Sequence, residues 1–335
     1  MRLNPRMARF AVQELTASPL AAQRPVRAFT LPIRLALGLL LAALAACAHR
    51  PAADRSDDHR VALLADNFPR HSVVLLGEVH DNPDGHRLRT EALTSAMRAG
   101  WRPIVAMEQF DRERQPDLDT AMQSCNDAAC VIALASPGKS GWHWDYYQPI
   151  IELALQYRLP VIAANLSRGD ARRVMTEGMA AVFPPAALRE MRIHGRLPPD
   201  LLERQTHEVV QGHCGMLPAF MHQGMATAQI ARDAMMAWLI RQAMADTSSA
   251  GQGSGKTARP LVLLAGNGHV RKDQGVPRWL NQGDLLTVGF TEAPAAQGEY
   301  DENIVVRPAQ RPDPCDALRS MSFKPPSGQG RQQNR

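Results

Sequence analysis

The sequence predicts an α/β fold: a mainly parallel central sheet flanked by helices, with a helical insertion between about residues 184 and 245. Two observations carry this expectation. Short, continuous, apolar runs rich in Val, Ile and Leu recur along the chain, as strands buried on both faces do. Helical stretches separate them, which is the pattern of crossover connections in a parallel sheet.

Taken in order, Ser72-Val73-Val74-Leu75-Leu76-Gly77 is the first strand and Pro103-Ile104-Val105-Ala106-Met107 the second. Pro160-Val161-Ile162-Ala163-Ala164, Leu261-Val262-Leu263-Leu264-Ala265 and Leu285-Leu286-Thr287-Val288-Gly289 follow the same pattern. His86 to Ala99 and Tyr147 to Tyr157 read as crossover helices. The folded domain is expected over residues 59–308, and the Pro, Gly and Gln-rich residues 309–335 as a flexible tail. Between helix and fourth strand, Ala250-Gly251-Gln252-Gly253-Ser254-Gly255-Lys256-Thr257 satisfies the relaxed form of a phosphate-binding loop. That mechanism needs a strand before the loop and a helix after it. Here the order is reversed, so the segment reads as a Gly/Ser linker.

The 335 residues are 45% hydrophobic and 21% charged, which is globular composition and excludes collagen-like, coiled-coil or wholly disordered chains. The net charge of +5 sits at the start. Arg2, Arg6, Arg9, Arg24, Arg27 and Arg34 face a single acid, Glu14, within residues 1–46, and the remaining chain is formally neutral. Nothing in the charge calls for nucleic acid as a partner.

Arg24, Arg27 and Arg34 precede an apolar run, Leu35 to Ala46, too short to span about 30 Å of hydrocarbon. A basic region followed by such a run is a signal peptide, here residues 1–46. Leu44-Ala45-Ala46-Cys47 looks like a bacterial lipobox, which makes Cys47 the expected lipidation site and residues 47–58 a tether. Ala48 after the cysteine, by resemblance to lipoprotein sorting rules, favours an outer-membrane anchor facing the periplasm.

Of the five cysteines, Cys125, Cys130, Cys214 and Cys315 remain for an oxidising compartment. Three pairings are possible, and two disulfides are expected. The short loop between Cys125 and Cys130 favours local pairing, with Cys214 joined to Cys315; zinc is the rival use of the thiols.

Three strands run into polar residues: Gly77-Glu78-Val79-His80-Asp81-Asn82, Met107-Glu108-Gln109 and Gly266-Asn267-Gly268-His269. The third strand adds Asn165 and Arg168. In a parallel sheet the carboxyl ends of strands form the ligand crevice. Glu78, His80, Glu108 and His269 are therefore expected to converge, either as ligands of a divalent metal or as a general acid–base set acting on water. On the helix around residues 221–239, Arg232 falls on the apolar stripe of Met221, Met225, Ala228, Met235, Met236 and Leu239. An arginine there needs a partner, and Glu108 or Glu78 is the expected one.

With Gly141-Trp142-His143-Trp144, Tyr147-Gln148-Pro149 and Ala231-Arg232-Asp233, these motifs resemble the ChaN family of haem-binding uptake lipoproteins, within the Tiki/TraB/erythromycin-esterase-like superfamily. The resemblance covers roughly residues 60–310. It implies an α/β fold, haem as cofactor, a role in haem or iron uptake, and a homodimer bridged by haem with a tyrosine as iron ligand. The superfamily is marked by two G-x-x-H motifs and a glutamate, here Gly77 to His80, Gly266 to His269, and Glu108. Tyr146 and Tyr147, beside Trp142, His143 and Trp144, are the candidate ligands, with His143 and His213 as alternatives. The second functional expectation is a metal-dependent hydrolase or protease using Glu78, His80, Glu108, His269 and Arg232.

Overall fold

The computed structural model describes residues 52–138, 141–251, 259–280 and 282–319. The expected signal peptide, Cys47 and most of the expected Gly/Ser linker lie outside them. Six strands, β1 (Val73–Leu76), β2 (Ile104–Asp111), β3 (Val161–Asn165), β4 (Leu261–Leu264), β5 (Leu285–Thr291) and β6 (Glu302–Val305), form one sheet. Their order is β3-β2-β4-β1-β5-β6 and every neighbouring pair is parallel. The fold is the expected α/β one.

The strands alternate their side chains between two cores, one on each face. Val74 and Leu76 of β1 join one core; Val73 and Leu75 join the other. Helices α1 (Ala52–Asn67), α2 (Pro83–Arg98), α3 (Gln115–Ser124), α4 (Ala128–Ala135) and α5 (Gln148–Tyr157) contribute to the first core. The second core takes α6 (Arg168–Glu177) and the helices of the expected insertion: α7 (Pro185–Glu190), α8 (Pro199–Gly212) and α9 (Ala219–Gly251). The short α10 (Asn267–Val270) follows β4, and α11 (Pro314–Arg319) follows β6.

Three local expectations differ. α1 begins inside the segment expected to be a tether, and α11 inside the expected tail. The edge strand β6 was not visible as a strand because Glu302 and Asn303 break its apolar pattern. Both disulfides form as expected, Cys125–Cys130 between α3 and α4, and Cys214–Cys315 between the loop after α8 and α11. The oxidised pairs leave no thiolate for zinc. Among the described residues no helix is long and apolar enough to cross a membrane.

Candidate functional site

The register of the sheet builds the site. Leu76 of β1 pairs with Leu264 of β4, and Leu264 with Met107 of β2. The next residues along each strand are Gly77-Glu78, Ala265-Gly266 and Glu108-Gln109, so these polar residues emerge side by side at the carboxyl edge. Backbone bonds lock the ends together: Asn267 N–H donates to the Glu78 carbonyl at 2.9 Å, and Gly266 N–H to Glu108 Oε2 at 2.8 Å. Gly266 keeps close quarters with His80. A Cβ there would lie 3.0 Å from His80 Cε1 and 3.1 Å from its Nε2.

Glu78 is buried and saturated. Tyr147 donates its hydroxyl to Oε1, Arg89 donates Nη1 to Oε2, and His80 Nδ1 lies 2.8 Å from Oε1. Burial alone would raise the Glu78 pKa, but Arg89, His80 and His86 outweigh it and hold the carboxyl well below the usual range. Arg89 also donates Nη2 to His86 Nδ1 at 3.0 Å. An arginine has only donors, so His86 carries its proton on Nε2 and donates it to the His80 carbonyl at 3.1 Å. Burial, then the Arg89 charge, push the His86 pKa down to about 4. The result is a rigid cradle around His80. The His80 side chain is half exposed, and its pKa is raised: burial opposes protonation, but Glu78 and Glu108 favour it more.

The second cluster is Asp233–His269–Glu108. His269 Nδ1 is 2.6 Å from Asp233 Oδ1, and Nε2 is 3.3 Å from Glu108 Oε1. Burial disfavours a charged imidazole, yet the two flanking carboxylates lift its pKa to about 10. Glu108 is the reverse case. Burial pushes it up, but His269, His80 and the Gly266 N–H bring it down to about 2. At Asp233 burial prevails and raises the carboxyl to about 6. Two imidazoles of different exposure, each oriented by a carboxylate, make an arrangement able to hold and move protons at one cavity wall.

That cavity has a volume of about 700 Å³, in the range usual for ligand sites. His80, Glu108, His269 and Arg232 line it, with Trp142 and His143 from the loop before α5 and Arg168 from α6. Glu78 stands behind His80 and does not reach the cavity wall. A larger hollow of about 880 Å³ lies at the opposite, amino-terminal end of β3 and holds none of these residues.

Arg232 is half-buried, and its expected partner is corrected. Nη1 donates to Asn165 Oδ1 at 2.7 Å, not to Glu108 or Glu78. Those carboxylates are already committed, Glu78 to Arg89 and Glu108 to His269. Asn165 in turn donates to Asp111 Oδ1 at 2.8 Å. On the same wall Gln109 is 2% exposed, and neither its Oε1 nor its Nε2 has a partner. Such orphaned polar atoms cost roughly 1–3 kcal/mol each when nothing polar meets them.

The divalent metal expected from His80, His269, Glu78 and Glu108 is not supported. Among the described residues no group of three or more His, Cys, Asp or Glu side chains is placed to hold a metal ion. The donors are spent on one another: both nitrogens of His269 face carboxylates, and both oxygens of Glu78 have partners.

The haem-ligand candidates separate clearly. Tyr147 is fully buried, and burial and Glu78 push its phenol far above the usual range, so a surface iron cannot reach its phenolate. Tyr146 is stacked on His86, with ring centroids 4.5 Å apart. His213 bonds the Val209 carbonyl through Nδ1 at 2.7 Å and does not line the cavity. His143 is exposed and does line it.

Sequence reasoning missed Arg89, His86 and Asp233. The first was detectable by the argument applied to Arg232: Gly85, Arg89, Ala92 and Ala96 share one buried helix face, and an arginine on it demands a carboxylate. Asp233 falls with Ala226, Ile230 and Ala237 on a buried face of α9.

An all-parallel sheet with two imidazole–carboxylate clusters at its carboxyl edge defines the class: an α/β protein with a candidate site at its strand ends. The family description "Haem-binding uptake, Tiki superfamily, ChaN" matches residues 64–280, and the chain belongs to that family. Among solved structures it is similar to ChaN of Campylobacter jejuni, described as showing cofacial haem binding, at 17% identity and a TM-score of 0.54, covering 73% of this chain and 89% of that one. It also aligns with the type III effector HopBA1 at 14% identity and a TM-score of 0.40, covering 75% and 94% of the two chains. No curated protein matches it in sequence.

Proposed function

We propose that this protein binds haem in the cavity at the strand ends and serves haem or iron uptake, with His143 holding the iron. The observation that carries this reading is the cavity of about 700 Å³ with Trp142 and an exposed His143 on its wall. An indole face suits a large apolar ring, and an imidazole is a usual haem ligand. Haem, when bound, would supply an iron that an imidazole such as that of His143 can hold. The residues of this chain then have separate tasks. His143 binds, Trp142 packs against the ring, and the Glu78–Arg89–His86 cradle keeps His80 and the adjoining wall in place. Trp142 meets His80 edge-on at 5.0 Å between ring centroids.

Family membership supports the haem reading. The lipobox-like Leu44 to Cys47 supports a lipid anchor in the bacterial envelope, in the outer membrane facing the periplasm. A homodimer bridged by haem suits the open cavity and remains part of the proposal.

Titration with haemin tests it. A saturable Soret band is expected, and His143→Ala should weaken binding at least tenfold or shift the band, while Tyr146→Phe leaves both unchanged. Absence of any saturable band would overturn the haem reading. A His143→Ala protein with the native band would overturn the ligand assignment. Radiolabelled palmitate should be incorporated in the producing bacterium and lost in Cys47→Ser; equal labelling of both would refute the anchor.

A further inference from the structure

We propose that the same cavity holds a dedicated carboxylate subsite, built from Arg232 and the amide of Gln109. Gln109 is 2% exposed and lines the cavity, and both polar atoms of its amide are covered and have no partner among the described residues. Native interiors rarely leave such an amide unmatched, and a matched ligand group is one standing explanation. Gln229, on α9 one turn before Arg232, adds a second buried and unpartnered oxygen, Oε1, on the same wall. Arg232 supplies the charge. Its Nη1 is fixed by Asn165, a neutral amide, and no carboxylate among the described residues forms an ion pair with it.

Among the other charged groups on the wall, Glu108 and Arg114 have charged partners, Asp111 shares the neutral Asn165 with Arg232, and Arg168 adds a second guanidinium. Glu108 accepts from His269 and the Gly266 N–H, and Asp111 accepts from Asn165. Arg114 pairs with Asp117. Arg232 thus brings a guanidinium held only by a neutral amide to the cavity wall, with Gln109 on the same wall. A planar, singly charged carboxylate fits that donor set. A doubly charged phosphate fits it less well, because Glu108 and Asp111 face the same space. The amide oxygens of Gln109 and Gln229 then take water or N–H and O–H groups of the ligand.

The carboxylate has two possible sources: a propionate of the haem, which rests on the reading above, or the carboxylate of a separate small acid, which does not. The test uses the full-length protein and four probes: haemin, haemin dimethyl ester, succinate and inorganic phosphate. Haemin and its ester are followed by the Soret band, succinate and phosphate by calorimetry. For a propionate, haemin should bind at least tenfold more tightly than its ester. Arg232→Met and Gln109→Leu should each reduce haemin to the affinity of the ester and leave the ester unchanged. For a separate acid, succinate should bind saturably to the native protein and lose that binding in both variants, whatever haemin does. Failure of both haem compounds to bind overturns the haem reading alone, and succinate then decides the subsite. Equal affinity for haemin and ester together with no binding of succinate overturns the subsite. Phosphate binding more tightly than succinate overturns the choice of carboxylate. Near-ultraviolet circular dichroism separates unfolding from lost recognition. If Arg232→Met is not folded, the polar-to-apolar change at Gln109 gives the same readout.

Discussion

Replacing Arg89 by methionine removes one half of an ion pair whose side chains are 0% and 1% exposed. The guanidinium also anchors His86. Methionine fills similar space but leaves the Glu78 carboxylate with Tyr147, His80 and, 4.0 Å away, the His86 ring. Breaking a buried pair from one side costs about 3–5 kcal/mol, because a charge is stranded in low dielectric. With a urea slope of roughly 3 kcal/mol per M for a chain of this size, the midpoint should fall by about 1–2 M. The double variant Arg89→Met with Glu78→Gln strands no charge and should recover a substantial part of the loss. Equilibrium urea unfolding at neutral pH, followed by circular dichroism, measures all three proteins. A single-variant loss under about 1 kcal/mol, or a double variant worse than the single, would refute the argument that Arg89 exists to neutralise Glu78.

Two further outcomes follow from other parts of the fold. The His269 pKa is raised from 6.5 to about 10, so its stabilisation is fully present below the unfolded value and is lost as pH rises through the folded one. Thermal midpoints should therefore fall between about pH 6.5 and about pH 10, and His269→Gln should flatten that fall; an unchanged alkaline slope in the variant would contradict it. The Cys214–Cys315 bond spans 101 residues and the Cys125–Cys130 bond only 5. Loop entropy assigns them about 4.7 and about 2 kcal/mol, so Cys315→Ser should destabilise more than Cys130→Ser in urea titrations, and the opposite order would sink the entropic account.

The sequence made the sheet legible where strands are buried on both faces. In β1 and β4 every residue is apolar and every residue is buried, so pattern and burial coincide. It failed at β6, where one face meets solvent and the run is half polar. The site divides along the same line. Convergence of Glu78, His80, Glu108 and His269 follows from parallel strands ending in one plane, which short apolar runs already imply. The partners of those residues do not follow, because they come from helices whose rotation the pattern fixes only loosely. Arg232 illustrates this: the apolar stripe placed it at the sheet, but one helical step decides between Asn165 and a carboxylate. Tyr147 shows the same limit. Its neighbours Trp142 and Trp144 suggested an accessible aromatic cluster, whereas its hydroxyl is turned inward to Glu78.

The position of β4 has a consequence for biogenesis. It lies between β2 and β1, although it is made after both and after the whole helical insertion. Until that late segment wedges into the gap, the two earlier strands have no common neighbour, and Glu108 has neither the Gly266 N–H nor His269 beside it. A chain interrupted before residue 261 thus holds every member of the Glu78 cluster but lacks His269, the centre of the other.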